Sequence, residues 1–277
     1  MIINNNLMAM NAHRQLKINN GFQAKSLEKL SSGYRINRAG DDAAGLSISE
    51  KMRNQIRGLE QASRNAQDGI SLIQTAEGAL SESHNILKRM RELVVQAANG
   101  TNENEDITAI TAELDSLVAE VDRIANGTEF NKKKLLNGDL LTGGGLILQI
   151  GANAPVDDNT LTIEIPDMDS GTLGVMGVGG ITDHPSAMNQ LKLIDDGIGI
   201  LSRERSRLGA LQNRLEHTIN NLDNTVENVQ AAESRIRDVD MAKEMSDFTK
   251  NNILMQASTA MLAQANQMPQ GVLQLLR

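Results

Sequence analysis

Apolar side chains recur at every seventh position along two long stretches of this chain. In the first, Ala43 to Ala98, the row is Leu59, Ala66, Ile73, Leu80, Leu87 and Val94, the period of a helix that hides a narrow seam against a partner. Three residues further along, Ala62, Gly69, Ala76, Ser83, Met90 and Ala97 are mostly small, which would let a neighbouring backbone approach closely. The second row is more regular: Ile194, Leu201, Leu208, Leu215, Leu222, Val229 and Ile236 hold one heptad position from near Ala187 to a break at Asp238-Val239-Asp240. At a rise of 1.5 Å per residue these helices would be roughly 80 and 73 Å long. Their similar lengths predict that they lie side by side. Leu59, Ile73, Leu80 and Leu87 of one would then share a seam with Leu201, Leu208, Leu215 and Leu222 of the other.

Shorter patterns surround these rows. Ile107, Ile110, Leu114, Leu117, Val121 and Ile124 step by three and four, which predicts a further helix between the turn Asn99 to Asp106 and the stop at Asn126-Gly127. From about Lys132 to His184 the texture changes to turns. There Leu146 to Ile150 and Leu161 to Ile165 alternate as two strands that should pair as a hairpin. Both chain ends are amphipathic. Leu16, Leu27 and Leu30 are spaced for a helix with Asn19-Asn20-Gly21 as a weak point, and Leu254, Ala257, Met261, Ala265, Met268, Val272 and Leu275 form a stripe in an uncharged last segment. Neither stripe has an evident partner within the chain, so both ends are expected to gain order on assembly with other copies.

Composition sharpens this picture. Aromatic residues are only 1 % of the chain, so the core must be aliphatic, and four prolines in 277 residues leave room for very long helices. A net charge of −8 argues against a nucleic-acid partner. The absence of cysteine excludes disulfides and thiolate ligands. The 27 Asn and 16 Gln supply hydrogen bonds without charge, which suits contact between like subunits. Met1 to Met10 has no basic start and is interrupted by three asparagines, so no secretory signal is read there. Asn251 to Leu276 is free of charge, yet its eight Asn or Gln and Pro269 argue against membrane insertion.

Candidate chemistry is sparse. Asp41-Asp42 stand where they would cap the helix beginning at Ala43, a better account of them than a paired-carboxylate site. His13, His84, His184 and His217 are scattered and form no zinc motif. Gly143 to Gly145 and Gly174 to Gly180 lack the Lys-Ser/Thr of a phosphate loop and read as turns. Met241, Met245, Met255, Met261 and Met268 recur at helical spacing, as packing residues do. No cofactor, no metal and no convergent acid, base or nucleophile is expected.

Longer motifs then carry a resemblance. Leu30-Ser31-Ser32-Gly33-Tyr34-Arg35-Ile36-Asn37 with Asp41-Asp42-Ala43-Ala44-Gly45, the run Gln61 to Ser71, the run Thr75 to Leu80, and the ending Ala265 to Arg277 together resemble bacterial flagellins over roughly 1–130 and 188–277. The resemblance implies a mainly α protein: a long antiparallel helical coiled-coil bundle, a small central β-hairpin region, and terminal helices that pair in the filament. Residues 1–40 and 239–277 would form the inner filament core, 41–136 and 188–238 the helical domain around it, and 137–187 a short variable region. Leu254, Met261 and Leu275 would anchor polymerisation. The implied role is a self-assembling, extracellular filament subunit for motility, exported through the flagellar type III apparatus without a cleaved signal. Its implied partners are itself, an export chaperone, and the hook-filament junction and filament cap proteins.

Arg89, Arg91, Glu92 and Leu93, with Glu113, resemble the patch by which many flagellins are sensed by Toll-like receptor 5. The bland reading is a solvated helix face, with Arg89 and Glu92 pairing at three-residue spacing. Two rivals for the chain as a whole are a hook-filament junction protein and a cytoplasmic coiled-coil adaptor. The fuller match at residues 30–80 and the ending disfavour the first, and the unpaired ends disfavour the second.

Overall fold

The computed structural model describes residues 6–153, 159–181 and 183–275. Among them the helices are α1 (Leu7–Ser32), α2 (Ala43–Ala97), α3 (Asn104–Gly127), the single turn α4 (Asp139–Thr142), α5 (His184–Arg237) and α6 (Met241–Leu275). The strands β1 (Glu129–Phe130) and β2 (Lys133–Lys134) pair antiparallel, as do β3 (Leu146–Gln149) and β4 (Thr160–Ile163). The chain forms two compact units: unit 1 is Met1–Asn54 with Asn228–Arg277, and unit 2 is Gln55–Glu227.

In unit 2 the two heptad rows face each other. Ser63 donates to Asp223 at 3.3 Å, Arg205 meets Glu77 at 3.5 Å and Arg91 meets Asp195 at 2.8 Å, so α2 and α5 run antiparallel. Ile73, Leu80, Leu87, Leu201, Leu208 and Leu215 are buried in one core, while Leu59 and Leu222 share a smaller cluster with Ala62. α3 adds Ile110, Leu114, Val121 and Ala125 as a third layer. It begins where Asp106 accepts from the backbone N–H of Glu103 at 3.1 Å, satisfying an otherwise orphaned donor.

The central region closes this core rather than decorating it. β3 pairs with β4 in the register Leu146↔Ile163, which turns Leu161 and Ile163 inward. Beyond them Met168, Leu173, Val175 and Val178 are buried too, and Asp122 of α3 anchors the segment by accepting from both the backbone N–H and the hydroxyl of Ser170. The small-residue row on α2 works differently from the sequence expectation. A methyl group at Gly69 would collide with Leu148, so the gap admits a hairpin side chain rather than a neighbouring backbone. Backbone approach occurs instead at Gly197 of α5, where a Cβ would lie 2.9 Å from the Leu173 carbonyl oxygen. The β1/β2 hairpin was not foreseen. Its turn residues Asn131 and Lys132 have φ of 50° and 64° without a glycine to announce them.

In unit 1, α1 and α6 pair antiparallel. The Asn6 side chain donates to the Ala265 carbonyl at 2.7 Å, Asn19 donates to the Ser258 hydroxyl at 3.0 Å, and Lys29 lies 3.6 Å from Glu244. One expectation is corrected here: α1 is unbroken through Asn19-Asn20-Gly21, where Asn19 faces α6. The two ends of the chain pair with each other as α1 and α6.

Gly33 caps α1 in the left-handed conformation, with φ 75°. Tyr34 and Asp238 then form a short antiparallel bridge that ties the α1–α2 connection to the α5–α6 connection. Of the two predicted caps only Asp42 serves α2, accepting from the Gly45 N–H at 2.8 Å. Asp41 instead accepts from the backbone of Asn37 and Arg38 and pairs with Lys25 at 2.8 Å. The bond from Lys25, followed by the backbone donor at Arg38, holds its carboxyl down at about 2.

Candidate assembly surface

α6 is apolar on two sides. Phe248, Met255 and Leu262 are half-buried and Ala265 is buried, at the three- and four-residue steps of a seam with α1, whose matching positions are Ala9, Ala12, Leu16, Asn19, Gln23, Ser26 and Leu30. That seam is thin because several of its members are small or polar. Most of the stripe read from the sequence lies elsewhere: Leu254 is 41 % exposed, Met261 60 % and Met268 45 %, and among its described side chains only Ala265 turns inward. On α1, Leu27 is 57 % exposed and lies outside this seam, whereas Leu16 and Leu30 belong to it. The side chains of Val272 and Leu275 lie outside those described.

The open stripe lines a groove of about 510 Å³ between the two helices, with Met8, Ala12 and Gln15 on one wall and Leu254, Met261 and Met268 on the other. A second groove of about 400 Å³ lies against Met10, His13 and Leu262. Among the described residues no acidic or basic side chain lines the first groove, so a partner could enter it without desolvating a charge there. Burying a Leu or Met side chain fully is worth about 1.5–3 kcal/mol. Leu7, Met8, Met10, Leu254, Met261 and Met268 are all exposed, an apolar surface of the kind that marks an interaction site.

The sequence-named receptor patch sits in unit 2. Arg89 bridges α2 to α3 through Glu113 at 3.0 Å and also reaches Glu92 at 3.4 Å, all three side chains being well exposed. The Glu113 carboxylate raises the Arg89 guanidinium further above its ordinary value. Arg91 pairs with Asp195 of α5 at 2.8 Å. Leu93 is only 2 % exposed and belongs to the core, so the patch presents Arg89, Arg91, Glu92 and Glu113 at its surface, with Leu93 beneath them.

Comparison with known proteins gives this geometry its context. The family model described as bacterial flagellin N-terminal helical region matches residues 3–140, and the one described as bacterial flagellin C-terminal helical region matches residues 191–276. The chain belongs to the bacterial flagellin family. A flagellin from Halalkalibacterium halodurans is 59 % identical over 278 residues, with 100 % of both chains covered. A flagellin from Bacillus subtilis is 55 % identical and the flagellar filament 31.3 kDa core protein from Treponema maltophilum 52 % identical, again with 100 % of each chain covered. As a flagellin the protein is a structural subunit that self-assembles into the bacterial flagellar filament. It is not an enzyme.

In this flagellin, sequence reading found the outward stripe of α6 and missed the inward one, Phe248, Met255 and Leu262. Both sets follow helical spacing, and only the position of α1 tells them apart. Among the described residues no cluster of His, Asp or Glu could hold a metal ion, and no helix is long and apolar enough to cross a membrane.

Proposed function

We propose that the open flanks of the α1/α6 pair are the surface by which one subunit binds the next, with Leu254, Met261 and Leu275 as its anchors. The supporting observation is the uncharged groove lined by Leu254, Met261 and Met268, which no element among the described residues fills. An asymmetric contact repeated by a rotation that does not close generates a helical filament. On this reading residues 1–40 and 239–277 belong to the filament core, 41–136 and 188–238 to the helical layer around it, and 137–187 to a short variable segment. The test is acid dissociation and neutral reassembly viewed by electron microscopy. The parent should regrow fibres of uniform width and Met261→Asp should not; fibres from that variant would refute the assignment.

The rest of the proposed life cycle follows from family membership. The subunit leaves through the flagellar type III apparatus without a cleaved signal, escorted by an export chaperone, and meets the hook-filament junction and cap proteins at the filament ends. As a monomer it is a ligand of Toll-like receptor 5 through the patch around Arg89. That patch is supported by the exposed ion pairs joining Arg89 to Glu92 and Glu113. Arg89→Glu should weaken receptor binding by roughly tenfold in surface plasmon resonance, a loss equivalent to about 1.4 kcal/mol. Unchanged affinity would remove the site.

A further inference from the structure

The chain contains a single tyrosine, Tyr34, and it sits in the first turn of the connection between α1 and α2. Two guanidinium groups take hold of its ring: Arg237 of α5 lies 4.8 Å from the ring centroid and Arg53 of α2 lies 5.6 Å from it. Arg53 also donates to the Tyr34 hydroxyl at 3.2 Å and pairs with Glu233 at 3.1 Å. Arg237 pairs with Glu50 at 3.0 Å and donates to Ser49 at 3.3 Å, and Ser49 donates to Glu233 at 3.4 Å. Ser49 is fully buried and Glu233 is 7 % exposed. The cluster is therefore a closed network of two cations, two carboxylates, a hydroxyl and a ring, all within unit 1.

The network is half-buried, with Glu233 and Ser49 inside and Glu50 at the surface; such networks add little net stability, because desolvation offsets the attraction, and their best-attested use is to fix one geometry among several. Here the geometry at stake is that of a connection. The stretch from Gly33 to Asp42 would leave α1 free to swing if only its ends were held. The backbone bridge reinforces the side-chain cluster: the Arg35 N–H donates to the Arg237 carbonyl at 2.6 Å and the Val239 N–H to the Gly33 carbonyl at 3.0 Å. Both connections are thus fastened to the same ends of α2 and α5 that carry Arg53, Glu233 and Arg237.

We propose that Tyr34, gripped by Arg53 and Arg237, is a positioning residue for filament growth. Within unit 1 it fixes how the α1/α6 pair joins the adjoining ends of α2 (to Asn54) and α5 (from Asn228), so that the assembly surface meets a second copy already ordered. Alignment before contact lowers the ordering cost of association and speeds productive addition. The inference rests on the α1/α6 pair being the assembly surface.

The experiment adds full-length monomer to sheared parental filament seeds and follows elongation by light scattering, with thermal unfolding of each monomer measured alongside. Tyr34→Ala should elongate roughly tenfold more slowly, while the main unfolding transition moves by less than about 2 °C. Tyr34→Phe keeps the ring within reach of both guanidiniums and should stay within about twofold of the parent. Tyr34→Ala elongating at the parental rate, Tyr34→Phe as slow as Tyr34→Ala, or a main transition that falls together with elongation would each overturn the proposal. Leu254→Asp separates the two levels. If it elongates normally the assembly-surface reading fails; if it stops growth while Tyr34→Ala grows normally, only the positioning role is lost.

Discussion

The α1/α6 pair and the bundle of unit 2 are built from the same pattern and end in opposite states. In both, apolar residues recur at three- and four-residue steps. In unit 2 three helices and the central segment cover those residues from several sides, and Leu201, Leu208 and Leu215 have no exposed surface at all. In the α1/α6 pair one partner covers one side of each helix, and the stripe carrying Leu254 and Met261 stays open. Helical spacing therefore says that a stripe exists. The number of elements around it decides whether that stripe is a core or an interface.

Removing the open stripe should separate the two regions most sharply. Deletion of Asn251 to Arg277 is expected to abolish pelletable filaments entirely, while calorimetry still shows the main unfolding transition of a soluble monomer. Filaments from the truncated chain would break the comparison. Next in size is the contrast between matched truncations. Leu208→Ala or Leu215→Ala should cost about 2–5 kcal/mol by leaving a cavity in a closed core. Leu254→Ala should change monomer stability by less than about 1 kcal/mol, since much of that side chain is already in water. Equal losses in urea titration would mean that the stripe is a core after all.

The smallest expected effect lies inside the sealed region. Glu204 of α5 is buried and its carboxyl is pushed up by burial, against the opposing pull of Arg207 at 3.0 Å. A raised carboxyl binds more protons in the folded state than in the unfolded one. This group's contribution to stability is therefore most favourable below pH about 4.5 and declines as pH rises through the folded value. Glu204→Gln, which can still accept from Arg207, should stabilise unit 2 at pH 7 by roughly 1 kcal/mol. The gain should vanish on acidification. A variant less stable than the parent at neutral pH would show that the charge is needed where it stands.

The chain's own pattern announced α2 and α5 to within a few residues, because a seam sustained over many heptads has only one regular solution. It announced β3 and β4 for a similar reason, since strict alternation bounded by turn residues fits little else. Asn131-Lys132 shows where the signal ends. The turn adopts positive φ at both residues without glycine; Asn131 tolerates that conformation, but Lys132 gives no sign of it. Asp41 and Asp42 show it again. Both stood at the helix start, yet Lys25 and the backbone at Asn37 and Arg38 draw Asp41 away, which no local rule encodes.

The same division runs through the functional surfaces. Residue order alone settled the class of the molecule: long aliphatic helices, few aromatics and two amphipathic ends. Tertiary structure decided which face of α6 meets α1, that Leu93 lies beneath the Arg89 patch, and that Tyr34 is contacted by arginines of both α2 and α5. The reason is physical. Periodicity is local and is written along one helix, whereas coverage depends on what a different part of the chain places in front of it.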